Sequence, residues 1–140
     1  MIYFIGAGPG AADLITVKGK ELLEKADLII YAGSLVNPEL LNYAKPECII
    51  MDSAKMTLEE VIAAMVPAAQ AGKLVVRLHT GDPSVYGAHR EQIDLLRSYN
   101  LDFEIVPGVS SFCAAAACLD AEDTLPNVSQ SVIITRMEGR

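Results

Sequence analysis

The chain has 140 residues, 51% of them hydrophobic and 21% charged, with a formal charge of −7 at pH 7. That length supports one domain with its own apolar core. Acids spread along the chain exclude a general nucleic-acid surface and leave no polybasic membrane patch, so an anionic ligand must be met by a few local Arg or Lys.

Short apolar runs alternate with stretches of helical period, which predicts βα units on a mostly parallel five-stranded sheet flanked by helices. The first run, "IYFI" (2–5), enters the glycine loop "GAGPGAAD". Thr16 then caps a helix through "VKGKELLEKA", with Leu22, Leu23 and Ala26 on one face. The second strand is "DLIIY" (27–31), followed by the loop "YAGSLVNP". Asn37 and Pro38 read as cap and first position of a short helix, "PELLNYA". "CIIM" (48–51) is the third strand. Thr57 and Glu60 form a capping box for "LEEVIAAMVPAAQA", which Gly72 stops.

"LVVRL" (74–78) is the fourth strand and leads into "TGDPSVYG". The helix "HREQIDLLRSY" follows, with Ile93, Leu96 and Tyr99 as its inward candidates. "FEIV" (103–106) is the fifth strand, and "VPGVSSF" is its loop. Ser110 or Ser111 caps "FCAAAACL", whose alanines permit close packing on the sheet. The polar, proline-bearing "DAEDTLPNVSQ" predicts a linker. "SVIIT" (131–135) then reads as a strand with no partner in what precedes it. The expected organisation is an α/β domain over 1–124, with 125–140 a linker and first strand entering a second domain.

Cys48, Cys113 and Cys118 lack paired metal-ligand spacing and read as small buried hydrophobes, so no metal is expected. No apolar run approaches a membrane span and no leader-like segment opens the chain, which makes a soluble cytoplasmic protein the expectation.

Loops leaving the carboxyl ends of parallel strands share one edge of the sheet, where ligands bind. As a dinucleotide cradle the first loop half fits, because Gly6 and Gly8 are followed by Ala11 at the third position. Against it, Pro9 offers no amide to phosphate, and the helix begins only near Thr16. The second strand also ends in Tyr31, Ala32 and Gly33 where a ribose-binding acid belongs, with Asp27 at the wrong end. In the third loop Gly81 lets a ligand approach the backbone and Asp82 supplies a carboxylate, the alternative being that Asp82 and Pro83 only shape a turn. "VPGVSS" repeats the design of a glycine and two hydroxyls near a helix start. Backbone, hydroxyls and one acid suit a cofactor with an adenosine and an amino-acid end, such as S-adenosylmethionine.

"GAGPG" with "LITVKG", then "TGDP" and "VPGVSS" in that order, resemble the tetrapyrrole methylase family over essentially the whole chain. "YAGSLV", "REQ" (90–92) and "SQSVIITRMEGR" are similar to the members that methylate carbon 11 of precorrin-4 or cobalt-precorrin-4 in cobalamin biosynthesis. The resemblance implies the first domain of a two-domain fold, a homodimer, and S-adenosylmethionine held by Pro9, Thr80, Gly81, Asp82, Val85, Ser110 and Ser111. It also implies a polycarboxylate tetrapyrrole substrate, with Ser34, Tyr86, Arg90 and Arg136 as the candidate contacts. No proton acceptor is carried over, because Ala32 stands where uroporphyrinogen-methylating relatives have an Asp.

Arg77, inside an apolar strand, reads as a ligand or half of a buried pair; His79 and His89 read as ordinary polar residues. Two rival functions are a same-fold methyltransferase acting on RNA or a diphthamide precursor, and a non-catalytic binding module.

Overall fold

A computed structural model describes residues 1–135. Five apolar runs form the strands β1 (Ile2–Gly6), β2 (Leu28–Tyr31), β3 (Ile49–Asp52), β4 (Val75–His79) and β5 (Phe103–Val106). All pair in parallel, in the order β3-β2-β4-β1-β5. β4 is buried along its full length, as expected of a strand covered on both faces.

Four α-helices alternate with the strands: α1 (Val17–Lys25), α2 (Leu58–Gln70), α3 (Arg90–Ser98) and α4 (Ser111–Cys118). The Thr16 hydroxyl accepts from the Gly19 amide at 3.1 Å and starts α1. Glu60 donates its amide to the Thr57 hydroxyl, and the Thr57 amide donates back to the Glu60 carboxylate at 2.8 Å, so the capping box of α2 is complete. "PELLNY" winds as a 3-10 helix under Asn37, whose side chain accepts from the Glu39 amide.

Two cores follow from the alternation of side chains along the strands. On one face Ile2, Phe4, Ile30 and Val75 meet Ile62 and Met65 of α2 and Ile93 and Leu96 of α3. On the other, Ile5, Ile29, Val76 and Leu78 meet Leu23 of α1 and Leu40 of the 3-10 helix. β1 therefore sends its chain to one face and its neighbour β4 to the other. That divergence opens a crevice at the carboxyl ends of the two strands.

Residues 131–135 pair with no strand among the described residues, and Ile133 is 87% exposed. Several expectations differ from the structure. α4 buries none of its residues, so its alanines do not pack on the sheet. Cys113 and Cys118 on that helix are exposed, and Cys48 is only half-buried. Tyr99 lies outward, since it follows the last turn of α3. His79, by contrast, is fully buried.

Candidate functional site

Three strand ends converge at one point. Gly8 donates its amide to the Gly81 carbonyl at 3.2 Å, and Gly81 donates to the Gly8 carbonyl at 2.9 Å. A Cβ on Gly6 would stand 2.5 Å from the Gly81 oxygen and 2.6 Å from the Gly108 Cα. A Cβ on Gly108 would stand 2.3 Å from the same oxygen. Backbones this close admit only glycine. The Gly8 amide that a phosphate cradle would offer is thus committed to the Gly81 carbonyl, and Pro9 contributes none. A short 3-10 helix (Ala12–Leu14) separates this loop from α1, so no helix start faces the crevice from that side.

Beside the junction lies a cleft of about 350 Å³. Pro9, Thr80, Gly81, Asp82, Val85, Ser110 and Ser111 all line it, together with Tyr86. Gly8 and Leu35 complete the wall. Leu35 was not among the sequence candidates; its signal is a large apolar side chain, 75% exposed, in a short glycine-bearing loop. The cleft presents backbone, hydroxyls and one acid, which is the donor and acceptor set that an adenosine and an amino-acid end require, and its size is that of a small-molecule site.

Asp82 is committed on both oxygens. One accepts from the Ser84 amide at 2.8 Å and from the Ser84 hydroxyl, the other from the Gly108 amide at 2.8 Å. Partial burial raises its carboxyl, but the Ser84 hydroxyl and the Gly108 and Ser84 amides outweigh that and hold it below its ordinary value. Asp82 both shapes its turn and faces the cleft. The first loop is fixed from outside by Asn37, whose side-chain amide donates to the Gly10 carbonyl at 2.8 Å.

Other candidates lie apart. Ser34 is exposed in the 3-10 turn Gly33–Leu35, next to Leu35 but outside the lining. Arg90 is on the surface of α3, its side chain 84% exposed and paired with Asp94 at 3.4 Å, and does not line the cleft. Arg136 lies outside the described residues. Ser110 holds the position that caps α4, yet its side chain makes no cap bond.

Arg77 has no carboxylate partner among the described residues. It is buried, and donates to the Gln92 side-chain carbonyl at 3.2 Å and to the Ile30 carbonyl at 3.1 Å. Burial pushes its pKa down to about 10. His79 stacks on Phe4 at 5.9 Å and faces His89 edge-on at 6.1 Å. Burial first, then Arg77 and His89, push its pKa down to about 3, so it is neutral at pH 7.

A family model described as tetrapyrrole (corrin/porphyrin) methylases matches residues 1–140. The cobalt-precorrin-4 C(11)-methyltransferase of Methanocaldococcus jannaschii is 62% identical over 139 residues, covering 99% of this chain and 54% of that protein. A solved cobalt-precorrin-4 methyltransferase superposes with a TM-score of 0.96 at 52% identity, over 99% of this chain and 58% of that one. Uroporphyrin-III C-methyltransferase from Thermus thermophilus, complexed with S-adenyl homocysteine, superposes with a TM-score of 0.76 at 31% identity, over 93% of this chain and 52% of that one. The chain spans about half the length of the curated relatives it matches.

Proposed function

This chain belongs to the tetrapyrrole methylase family, and from that premise we propose that it supplies one of two α/β domains of an S-adenosylmethionine-dependent methyltransferase. The substrate is precorrin-4 or cobalt-precorrin-4, and the position methylated is carbon 11. The observation that carries the reading is the convergence of Pro9, Thr80, Gly81, Asp82, Val85, Ser110 and Ser111 on one cleft. They come from the loops after β1, β4 and β5, far apart in the chain, and coincide with the residues the family motifs nominate for the cofactor.

S-adenosylmethionine, when bound, supplies a methyl group on a positively charged sulfur, already activated for transfer. The chain's own work is positioning, the contribution that converts a bimolecular encounter into an oriented one. Gly8 and Gly81 let a ligand reach the backbone, and the hydroxyls of Thr80 and Ser111 supply adaptable hydrogen bonds. The ionised Asp82 carboxylate favours a cationic ligand in the cleft. Leu35 and Val85 give one wall an apolar surface. Tyr86, in the lining, and Ser34, next in sequence to Leu35 of the lining, are the candidate contacts for the tetrapyrrole, with Arg90 and Arg136 as candidate partners for its carboxylates. A second domain closes the cleft, and the whole enzyme is a cytoplasmic homodimer.

Calorimetry on the full-length protein with S-adenosylhomocysteine tests the cofactor assignment, with binding expected at one site per subunit. Methyl-transfer assays with precorrin-4 and cobalt-precorrin-4 test the substrate. Absence of S-adenosylhomocysteine binding would remove the reading.

A further inference from the structure

The segment that brings Tyr86 to the cleft is held in an unusual backbone path. Tyr86 has φ 54° and Ala88 has φ 47°, a region that non-glycine residues occupy only when their surroundings fix it. Between them Gly87 passes so close to the Pro83 carbonyl that a Cβ would stand 2.1 Å from its oxygen. The turn requires something beneath it to select this path.

Directly beneath is the α2 and α3 face of β4, where Arg77 and His79 follow Val75 toward the cleft and are 6% and 3% exposed. Among the described residues no carboxylate pairs with Arg77. An apolar side chain would sit in this central strand at less desolvation cost, so the cation is not there for packing. What it offers is direction. Its Nε takes the carbonyl end of the Gln92 side chain, and its Nη1 is anchored on the Ile30 carbonyl of the neighbouring strand. With the carbonyl end occupied, the other end of the planar amide must point away from the guanidinium. It donates to the Ala88 carbonyl at 3.4 Å.

We propose that Arg77 and Gln92 are positioning residues: the buried guanidinium orients the Gln92 amide, which holds the Ala88 carbonyl and so fixes the left-handed turn that presents Tyr86 to the cleft. The chain of contacts runs from the middle of the sheet to the mouth of the site. A tetrapyrrole then meets Tyr86 in one place, and this last clause rests on the methyltransferase reading.

Gln92→Glu in the full-length protein separates positioning from packing. The carboxylate still accepts from Arg77, now as a charged pair, but it cannot donate to Ala88. The expected result is an unchanged or raised Tm together with amide hydrogen exchange over residues 84–89 accelerated roughly fivefold, the loss of one ordinary hydrogen bond. KM for the tetrapyrrole should rise by a similar factor with kcat little changed. On a Tyr86→Ala background the same substitution should add nothing to KM. Arg77→Met should accelerate exchange in the same segment, and if that variant does not fold, Gln92→Glu decides alone. Unchanged exchange over 84–89 in Gln92→Glu, or acceleration spread across the whole protein with a lower Tm, would overturn the proposal. Accelerated local exchange in a protein that methylates neither tetrapyrrole would leave the positioning role standing and remove only the substrate reading.

Discussion

The Asp82 carboxylate accepts a hydrogen bond from the Gly108 amide at 2.8 Å, binding the loop after β4 to the loop after β5. One wall of the cleft thereby becomes a single body, and the residue that does it is, among the described residues, also the only acid in the lining.

Asp82→Asn should therefore be nearly as damaging as Asp82→Ala. Both carboxylate oxygens accept, one from Ser84 and one from Gly108, whereas an amide has one acceptor and would turn its NH2 toward a donor. A loss of about 1–2 kcal/mol is expected for a part-buried donor left without its partner. The pH dependence has a definite sign. A carboxyl held low in the folded state adds stability above its unfolded value near 4, and that stability is lost as pH falls through the folded value. Urea unfolding at pH 7 and pH 3 should show the acid-side loss reduced in the Asn variant. Affinity for S-adenosylhomocysteine should also drop, and unchanged affinity would confine Asp82 to the turn.

His79 gives an independent pH signature. Its folded pKa of about 3 lies below the ordinary value, so the unfolded chain takes up a proton first as pH falls. Stability is complete above about pH 6.5 and declines toward pH 3 by at most about 1.4 kcal/mol per unit for this one group. His79→Leu should flatten that part of the profile while leaving the stacking face of Phe4 covered. Equal slopes for parent and variant between pH 6 and 4 would count against a neutral, desolvated His79.

The glycines at the strand ends should differ sharply in tolerance. Gly108→Ala puts a methyl 2.3 Å from the Gly81 oxygen, against backbone that cannot give way. A loss of about 3 kcal/mol or more, or failure to accumulate folded protein, is expected. Gly10, with φ 130° and nothing within 4 Å of its Cβ position, should lose only the cost of the backbone conformation, about 1–3 kcal/mol. Thermal unfolding of the pair measures the contrast.

Val85→Trp should fill the cleft. The side chain is only half-buried, so stability should change by less than about 0.5 kcal/mol. Ligand affinity should fall about tenfold or more, the scale of overpacking a formed site. Calorimetry beside a melting curve separates the two effects, and retained affinity would place the ligand elsewhere.

The sheet was legible because strands covered on both faces must be apolar throughout, and "LVVRL" and "DLIIY" leave few alternatives. Thr16, Asn37 and the Thr57 and Glu60 pair marked three helix starts because capping chemistry is local. The cleft lining was legible only through whole motifs, since nothing local in "VPGVSS" says that it will stand beside Gly81. α4 was misread for a physical reason: an alanine-rich apolar helix has the same sequence whether or not a surface covers it, and among the described residues none does. The partner of Arg77 was not legible because it is an uncharged Gln92 on the next helix, and charge patterning carries no signal for a neutral acceptor.

The strand order bears on how the site comes into being. β1 lies between β4 and β5, so Ile2 waits for Val75 on one side and for Phe103 on the other. Every pairing of the first strand is a distant closure, which makes assembly of the sheet's centre slow. During synthesis β1 would remain an apolar segment with both edges open until most of the chain has emerged, and such an edge is prone to pairing with the wrong neighbour. The cleft is thus one of the last things the chain completes, and a ligand captured there would report that β1 has already closed on both β4 and β5.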